Sequence, residues 1–570
     1  MINPWDFLNE YRNTEIKGEW PTIPEIFRIT TKRFPENRCF TAYSPEEQTY
    51  TYYETLKIVN NLSNYLISLG IKKGDKIAIV GKNSPEWAIA YISILFSGAI
   101  VVPMDYGLQT SEIIELIDKS DSKIIFSEKD KYSEIKSKSI NLLNCISLNK
   151  NYENYILNLS SSEQHQLNTV SEDDIAAILY TSGTTGVSKG VMLTHKNFSS
   201  DVLLAQSNLN IYPTDVFYAI LPIHHSYTMT SVFLESIFVG AEVIFGKQLV
   251  FAQILKDFKR GKVTMFLGVP MIFNKILHGL LNGVKKKGYL LYILIRFLMS
   301  ISGLIKKTFK FNPGKRLFGF LLKQASLENI RICISGGGPL APSTFKYFNQ
   351  LGIDFVQGYG LTECAPMLAL NPVENYKETS VGKILPQIDL KIINKDSDGI
   401  GDIVVKGPNV MKGYYKQEKE TLEAFTTDGY LITGDAGYLD KDNYLYLTGR
   451  KSSLIVTEGG KNVYPEEIED AFQFYDDYEQ IMVKGYIKNK STLSEGIEVL
   501  FYPASELFKD STNDEIKNRF NDIVKEVNKT LVSYKHIDRF FIVTEPLPMT
   551  TTKKIRRNDV ISSYESLKKF

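Results

Sequence analysis

Residues 179–195 read LYTSGTTGVSKGVMLTH, and this stretch decides the fold class of the chain. An apolar, strand-like run (175–180) leads into a turn of two glycines, three threonines and two serines, and Lys189 follows. Glycines leave backbone N–H groups free to surround an anion, hydroxyls add donors, and the lysine adds a positive charge. The stretch therefore predicts a polyphosphate-binding loop rather than an ordinary Gly/Ser-rich turn. It is not a Walker A motif, because Gly186 is followed by Val-Ser-Lys rather than directly by Lys and Ser or Thr.

Further motifs follow along the chain: QGYGLTE (357–363), TGD (433–435), TGR (448–450), GGKNVYPEEIE (459–469) and PMTTTKKI (548–555). Together with 179–195, and in this order, they resemble the nucleotide motifs of the adenylate-forming superfamily. That superfamily contains acyl-CoA synthetases, luciferases and the adenylation domains of peptide synthetases. The resemblance runs from Tyr50 to Arg557 and is strongest to long-chain fatty acid–CoA ligases.

Composition narrows the class of protein. A chain of 570 residues is too long for one hydrophobic core and indicates two or more domains. Its net charge of +1 gives no indication of nucleic acid as a partner. The four cysteines are widely spaced, and neither they nor the six histidines show metal-ligand spacing. With no signal peptide pattern at the first residues, these features predict a cytoplasmic protein.

The pattern of apolar residues predicts an α/β fold. Short runs of mostly apolar residues, such as 77–80, 99–102 and 123–126, alternate with helical stretches, which is typical of parallel sheets covered on both faces. After Arg450 the pattern changes to that of a small α+β domain. The resemblance implies the same division: residues 1–450 as doubly wound, mostly parallel sheets with a small barrel-like subdomain, and 451–570 as a mobile lid.

The resemblance implies a two-step reaction with ATP, Mg²⁺ and coenzyme A. A substrate carboxylate attacks the α-phosphorus of ATP to give an acyl-adenylate and pyrophosphate. The thiol of coenzyme A then attacks the acyl carbon, and AMP leaves. Neither step needs a protein nucleophile, so the protein must position the reactants and neutralise phosphoryl charge.

The nucleotide site implied by the resemblance draws on several segments. The phosphate loop contributes Thr181, Ser182, Gly183, Thr184, Thr185, Gly186 and Lys189. The adenine segments contribute Gly336, Gly337, Gly338, Gln357, Gly358, Tyr359 and Gly360. Asp435 would accept bonds from the ribose hydroxyls, because a carboxylate has two acceptor oxygens, and Arg450 would lie near ribose and phosphate. A strand-to-helix turn, a surface Asp or a solvated Arg is the structural alternative at these positions.

Three residues are predicted to be catalytic. Glu363 would ligate Mg²⁺, with Thr181 as a further ligand, and Thr362 would donate to the α-phosphate. Lys554 matches the lysine that reaches from the small domain to the substrate carboxylate and α-phosphate. Lys553 stands where the family commonly has glycine, so a basic, solvated C-terminal strand is the alternative for this cluster.

The acyl and thiol sites are also taken from the resemblance. His225, Gly268 and Val269 fall where the family builds the acyl pocket, and we expect His225 to pack rather than to transfer protons. Gly459 and Gly460 would line the path of the pantetheine arm. A long apolar fatty acid is the predicted substrate. The alternatives are a medium-chain or aryl acid, a carrier-protein thiol in place of coenzyme A, and a non-catalytic binding protein.

One apolar stretch, residues 289–305, stands apart from the motifs. It is shorter than the ~20 residues a spanning helix needs and contains Arg296, while lysines flank it on both sides. It fits a core or domain-surface helix, or a peripheral helix on anionic lipid at the inner face of a membrane. The sequence leaves open the oligomeric state, including a homodimer.

Overall fold

The computed structural model describes residues 4–138, 142–182, 188–338, 340–457, 461–472, 475–489, 494–550 and 554–570. The chain divides into two compact units. The first comprises Met1–Gly338, Pro342–Asp389 and Val405–Leu431, and the second comprises Pro339–Ala341, Leu390–Val404 and Ile432–Phe570. The predicted domain boundary after Arg450 stays a prediction.

A seven-stranded sheet in the first unit carries the stretch 179–195. Its strands lie in the order Gly413–Tyr414, Ser188–Thr194, Ile175–Ser182, Ile100–Met104, Lys76–Val80, Ser122–Ser127 and Asn144–Ser147. The strands from Ile175–Ser182 onward run parallel, as the continuous apolar runs predict. Segment 127–172 has no clear periodicity in the sequence, yet its strand Asn144–Ser147 extends this sheet.

Nine further strands of the first unit follow one another in a second sheet. Their order is Gly382–Ile384, Met367–Leu370, Asp354–Gly360, Ile332–Ser335, Met265–Gly268, Val216–Ala219, Glu242–Phe245, Arg38–Ala42 and Gln48–Thr51. The six strands from Asp354–Gly360 to Arg38–Ala42 are parallel, and the outer ones are antiparallel. Carboxyl ends of parallel strands meet at one sheet edge, where ligands bind in open α/β folds.

Helices connect and cover these strands. They are Ile23–Arg33, Tyr52–Ser68, Pro85–Phe96, Thr110–Ser120, Lys129–Lys138, His195–Ala205, Ser226–Thr228, Glu235–Val239, Phe251–Gly261, Pro270–Lys287, Tyr289–Phe309, Gly314–Leu317, Gly319–Gln324, Pro342–Leu351 and Glu418–Ala424. Every residue of Pro85–Phe96 is buried, and the Ser84 hydroxyl caps its first turn. The sequence favours Thr110 as a cap, but Thr110 is the first helical residue, and Gln109 and Glu112 form the capping box.

Four adjacent strands lie wholly or mostly in the second unit: Asp389–Ile393, Gly401–Lys406, Leu431–Leu439 and Tyr444–Arg450. A strand pair, Ile455–Val456 with Asn462–Val463, precedes a three-stranded sheet of Tyr478–Asn489, Ser494–Pro503 and Arg539–Ile542. Its helices are Pro465–Ala471, Asn513–Thr530 and Arg557–Ser562. Helix Asn513–Thr530 buries Phe520 against Phe501 in a common core. The predicted fold class, a large α/β domain with parallel sheets and a small α+β domain, is confirmed.

Candidate functional site

Strands Ile175–Ser182 and Ser188–Thr194 pair antiparallel, and we call this pair of strands the phosphate hairpin. Thr181 pairs with Lys189, and Ser182 with Ser188, at the ends of the two strands that flank the glycine/threonine segment. The Ser188 hydroxyl donates to the Thr181 carbonyl at 3.3 Å. Gly183, Thr184, Thr185 and Gly186 lie outside the described residues, as does the side chain of Ser182, and their roles stay predictions.

Lys189 lies beside the ring of Tyr414, and the hydroxyl of Tyr414 contacts Glu363, the predicted metal ligand. Its ammonium is 4.8 Å from the ring centre of Tyr414, and the Tyr414 hydroxyl donates to the Glu363 carboxylate at 3.0 Å. Burial and the nearby Glu363 carboxylate raise the pKa of Tyr414, so this phenol keeps its proton and remains a donor. The structure thus brings a phosphate-loop cation to the ring of Tyr414 and the QGYGLTE carboxylate to its hydroxyl.

Backbone pairing fixes this arrangement. Strand Gly413–Tyr414 adds to the phosphate hairpin with Tyr414 opposite Val191. The N–H of Met411 donates to the Glu363 carbonyl at 2.8 Å. The segment that leads into the strand carrying Tyr414 therefore also holds the backbone of Glu363.

Helix His195–Ala205, which follows the hairpin, is tied to the same region. The buried carboxylate of Asp201 accepts from the N–H of Met367 at 2.9 Å and from the Asn409 amide at 3.1 Å. His195 accepts from the N–H of Ile23 at 3.3 Å, and burial lowers its pKa to about 4. This histidine is neutral near pH 7 and acts as a structural acceptor.

The predicted metal ligands fit Mg²⁺ by their chemistry. Glu363 is a partly exposed carboxylate, and Thr362 next to it shares a hydrogen bond of 3.1 Å with Ser226. Mg²⁺ takes one or two carboxylates and otherwise phosphate and water oxygens. Glu363, with the hydroxyl of Thr181 as a further oxygen, would hold the ion, which supplies charge neutralisation on the phosphates when bound.

The adenine and acyl segments meet at Tyr227. Its hydroxyl donates to the carbonyls of Ile334 at 3.1 Å and Gly268 at 3.4 Å. A Cβ added to Gly336 would lie 2.9 Å from the Tyr227 ring, so this glycine allows the close approach. The N–H of Gly336 donates to the Gly268 carbonyl at 3.1 Å. Gly336 and Gly268, predicted for adenine and acyl chain respectively, are neighbours.

The QGYG segment occupies the carboxyl end of its strand. Gln357 is buried and pairs with Ser335, the residue before the glycine turn. Gly358, Tyr359 and Gly360 pair with the antiparallel strand Met367–Leu370. A Cβ on Gly360 would lie 1.7 Å from the carbonyl oxygen of Pro366, so only glycine fits this turn. Gly337 and Gly338 follow Gly336 in the glycine turn. Val269, predicted for the acyl pocket, is the buried N-cap residue of helix Pro270–Lys287.

His225 lies in a cluster that the sequence spacing does not reveal. The side chains of Asp105, His224 and His225 place one potential ligand atom each within 4.8 Å of one another. The His224 and His225 rings are 4.2 Å apart, and His224 Nε2 is 3.7 Å from the Asp105 carboxylate. Burial lowers the pKa of His224 to about 3, so it is neutral near pH 7. The expectation that His225 packs rather than transfers protons stays a prediction.

The second unit brings three other predicted residues together. Asp435 and Arg450 are opposite each other on paired strands, and their charged groups are 3.2 Å apart. Surrounding protein atoms and the Arg450 charge lower the pKa of Lys554, while the Asp435 carboxylate raises it. The backbone N–H of Lys554 donates to the Thr550 hydroxyl at 3.1 Å. Lys553, Gly459 and Gly460 lie outside the described residues, and the roles expected of the two glycines stay predictions.

Tyr414 and Tyr227 are the contacts that sequence reasoning missed. Tyr414 follows Gly413 in a two-residue strand, too short for a periodicity signal. Tyr227 directly follows the segment PIHHS (222–226), which contains the predicted pocket residue His225. This proximity in the sequence is the feature that could have indicated Tyr227 as a site residue.

The large α/β unit brings hydroxyl, ammonium and carboxylate groups together at the phosphate hairpin. This arrangement is typical of a nucleotide-binding enzyme. The family model described as AMP-binding enzyme matches residues 27–415, and the chain belongs to this family. The predicted superfamily is confirmed.

Individual relatives agree with this class. The chain is 29% identical over 530 residues to a long-chain-fatty-acid–CoA ligase of Bacillus subtilis, covering 85% of this chain and 86% of that one. It is 28% identical over 538 residues to 4-coumarate:CoA ligase 1 of Petunia hybrida, covering 90% and 88%. The structure of o-succinylbenzoate CoA synthetase of Bacillus subtilis with ATP and magnesium superposes with a TM-score of 0.71 at 24% identity, covering 94% and 99%.

These comparisons support an AMP-forming acid–CoA ligase that works through an acyl-adenylate. ATP, Mg²⁺ and coenzyme A fit this class of ligase. The acids named for the relatives differ, from long-chain fatty acid to 4-coumarate.

Proposed function

We propose that the protein is a long-chain fatty acid–CoA ligase. It activates the fatty acid with ATP to an acyl-adenylate and pyrophosphate, then transfers the acyl group to coenzyme A and releases AMP. The observation that carries the proposal is the Lys189–Tyr414–Glu363 contact, which joins the phosphate hairpin to the QGYGLTE motif. Two motifs separated by more than 150 residues in the sequence converge on one tyrosine, as binding of one nucleotide requires.

Each group has a role in the first step. Lys189 and the hairpin hydroxyls hold the β- and γ-phosphates, and Thr362 donates to the α-phosphate. Glu363 holds Mg²⁺. The carboxylate of the fatty acid forms the new C–O–P linkage at the α-phosphorus, and pyrophosphate leaves with the bond electrons. Positively charged groups fixed in place lower the barrier, because charge accumulates on the phosphoryl oxygens in the transition state.

Asp435 and Arg450 serve the ribose and phosphate in this proposal, and Lys554 contacts the reacting carboxylate and the α-phosphate. Support comes from the 3.2 Å pair of Asp435 with Arg450 and from the electrostatic coupling of Lys554 to both. The Lys554 ammonium thus lies where the charges of both Arg450 and Asp435 act on it.

The preference for a long apolar acid is supported by the Bacillus subtilis relative and by the apolar residues around the predicted acyl segment. Gly268 allows the ring of Phe273 to approach, since a Cβ there would lie 3.1 Å from it. The Petunia hybrida relative favours an aryl acid as the second candidate substrate.

A direct assay separates these substrates. Purified protein, ATP and Mg²⁺ are incubated with palmitate, octanoate or 4-coumarate, and pyrophosphate release is measured before and after addition of coenzyme A. We expect the highest kcat/KM with palmitate and formation of palmitoyl-CoA and AMP. A parallel reaction replaces coenzyme A by a pantetheinylated carrier protein. Higher kcat/KM with 4-coumarate, or thioester formation on the carrier alone, would contradict the proposal.

A further inference from the structure

The helix Tyr289–Phe309 presents an apolar face to solvent; we call it the apolar helix. Among the described residues it is the helix long and apolar enough to cross a membrane by length and composition. Most of it is exposed, including Leu290 at 82%, Phe297 at 61% and Leu304 at 67%. These residues recur at spacings of seven, which places them along one side of a helix. A core helix would bury this side, so the face needs another explanation.

The opposite side of the apolar helix is held on the protein. The buried ammonium of Lys306 donates to Asp354 at 2.6 Å and to Asn349 at 2.7 Å. The Arg296 guanidinium lies 4.2 Å from the centre of the Tyr347 ring and donates to its hydroxyl. Crossing a bilayer would break these contacts and expose both cations to hydrocarbon. The helix therefore fits a position parallel to a surface, with its outer side toward that surface.

The apolar surface continues beyond the helix. Phe309 and Phe311 are exposed at its end, and Leu317 and Phe320, at 74%, are exposed in the short helices that follow. Phe and Leu side chains are typical of the apolar face of helices that lie in the membrane interface. These four side chains add to the apolar surface exposed on and after the helix.

The positive charge around these apolar side chains indicates what kind of surface would cover them. Residues 258–327 contain fourteen Lys and Arg and no Asp or Glu, although the whole chain carries a net charge of only +1. Lys285, Lys286 and Lys287 are exposed just before the apolar helix. Lys307, at its far end, has one acidic neighbour, Glu378, at 3.8 Å. The apolar face is therefore bordered by positive charge on both sides.

We propose that the apolar helix and the aromatic residues after it dock the enzyme on a bilayer of anionic phospholipid. Apolar side chains enter the interface while flanking lysines contact phosphate headgroups, as in interfacial amphipathic helices. A second copy of this chain is disfavoured as the partner, because it would place two basic segments face to face. Docking would bring the enzyme to the surface where amphiphilic acids partition, but the lipid contact itself does not depend on the proposed activity.

Vesicle flotation without ATP, acid or coenzyme A tests the docking. We expect binding to phosphatidylglycerol-containing vesicles, little binding to pure phosphatidylcholine, and weakening with added salt. The variant Leu290→Ser/Phe297→Ser/Leu304→Ser should lose at least tenfold in partitioning. Leu422→Ser/Leu507→Ser, which changes two exposed leucines elsewhere, is the matched control and should bind like wild type.

A charge series tests the second part of the proposal. Lys285→Gln/Lys286→Gln/Lys287→Gln should weaken binding severalfold, whereas Lys517→Gln/Lys525→Gln/Lys529→Gln on helix Asn513–Thr530 should not. Circular dichroism and activity on water-soluble octanoate confirm that each variant is folded. Absence of wild-type binding, or equal binding by the serine variant, would overturn the proposal. So would a dimer in light scattering that the serine variant abolishes while vesicle binding is absent.

Discussion

Tyr414 contacts both Lys189 and Glu363 of the candidate phosphate site, and the role of its hydroxyl can be tested by a single substitution. Tyr414→Phe keeps the ring beside Lys189 but removes the donor to Glu363. A hydrogen bond to a charged group contributes about 1.5–3 kcal/mol, so adenylate formation should fall about 10- to 100-fold, since 1.4 kcal/mol is tenfold. Pyrophosphate release across a Mg²⁺ titration measures the effect.

The adjacent Tyr415 provides the matched control. Its hydroxyl donates to Asp121 at 2.7 Å, away from Glu363. Tyr415→Phe should retain wild-type activity and Mg²⁺ dependence. Equal losses in both variants would show that the Tyr414 hydroxyl has no special role.

Lys554 is predicted to act in the first half-reaction. Lys554→Ala should reduce adenylate formation about 10²- to 10³-fold, the usual loss for one charge-stabilising group. Thioester formation from supplied acyl-adenylate should fall far less, because the carboxylate has already reacted. Rapid-quench measurement of the two steps distinguishes them, and equal losses in both would contradict this role.

The lowered pKa of Lys554 also predicts a pH dependence. The pKa of its ammonium is lower than that of an ordinary lysine, because the surrounding protein atoms and the positive charge of Arg450 disfavour the charged form. The rate of adenylation should therefore decline as pH rises through a value below ~10.4, the usual lysine pKa. Lys554→Arg, if active, should move this decline upward, since a guanidinium stays charged. An unchanged profile in the arginine variant would assign the decline to another group.

At the scale of elements, the turn after strand Asp354–Gly360 is fixed by a close backbone approach. The N–H of Leu361 donates to the Pro366 carbonyl at 2.9 Å, the same oxygen that a Cβ on Gly360 would meet at 1.7 Å. Gly360→Ala should therefore lower the melting temperature by at least about 2 °C, because the backbone must shift. It should also reduce adenylation, since the turn leads into Thr362 and Glu363.

Helix Pro270–Lys287 contains the control for this substitution. A Cβ on Gly279 meets nothing within 4 Å, and alanine favours a helix over glycine by about 1 kcal/mol. Gly279→Ala should be as stable as wild type or slightly more so. A stable, fully active Gly360→Ala protein would show that the turn tolerates a side chain.

Comparison of the strands and site residues with the sequence patterns shows which of them could be predicted from the sequence alone. The apolar runs at 77–80, 99–102 and 123–126 predict their parallel strands, because both faces of these strands are buried. Motif order predicts Glu363 and Lys189 as site residues, and the structure places both against Tyr414. Periodicity could not reveal Tyr414 itself, nor the Asp105–His224–His225 cluster, because strands distant in sequence bring those residues together. The exposure of Leu290, Phe297 and Leu304 likewise depends on packing, which a pattern of apolar residues does not specify.

At the scale of the whole molecule, chain-length dependence tests the acid that the enzyme prefers. Each buried methylene contributes about 0.8 kcal/mol, or roughly fourfold in kcat/KM. We expect kcat/KM to rise severalfold per methylene from hexanoate upward until the pocket is filled. A flat series, with 4-coumarate preferred, would assign the enzyme to aryl acids.

The central claim is that the protein activates a carboxylic acid on ATP and that this step requires Glu363 and Lys554. Acid-dependent exchange of labelled pyrophosphate into ATP reports this step directly, without coenzyme A. We predict exchange that requires palmitate and Mg²⁺ and that falls at least about 10²-fold in Glu363→Gln and in Lys554→Ala. Exchange that persists in both variants, or none with any carboxylic acid in the wild-type protein, would contradict the account.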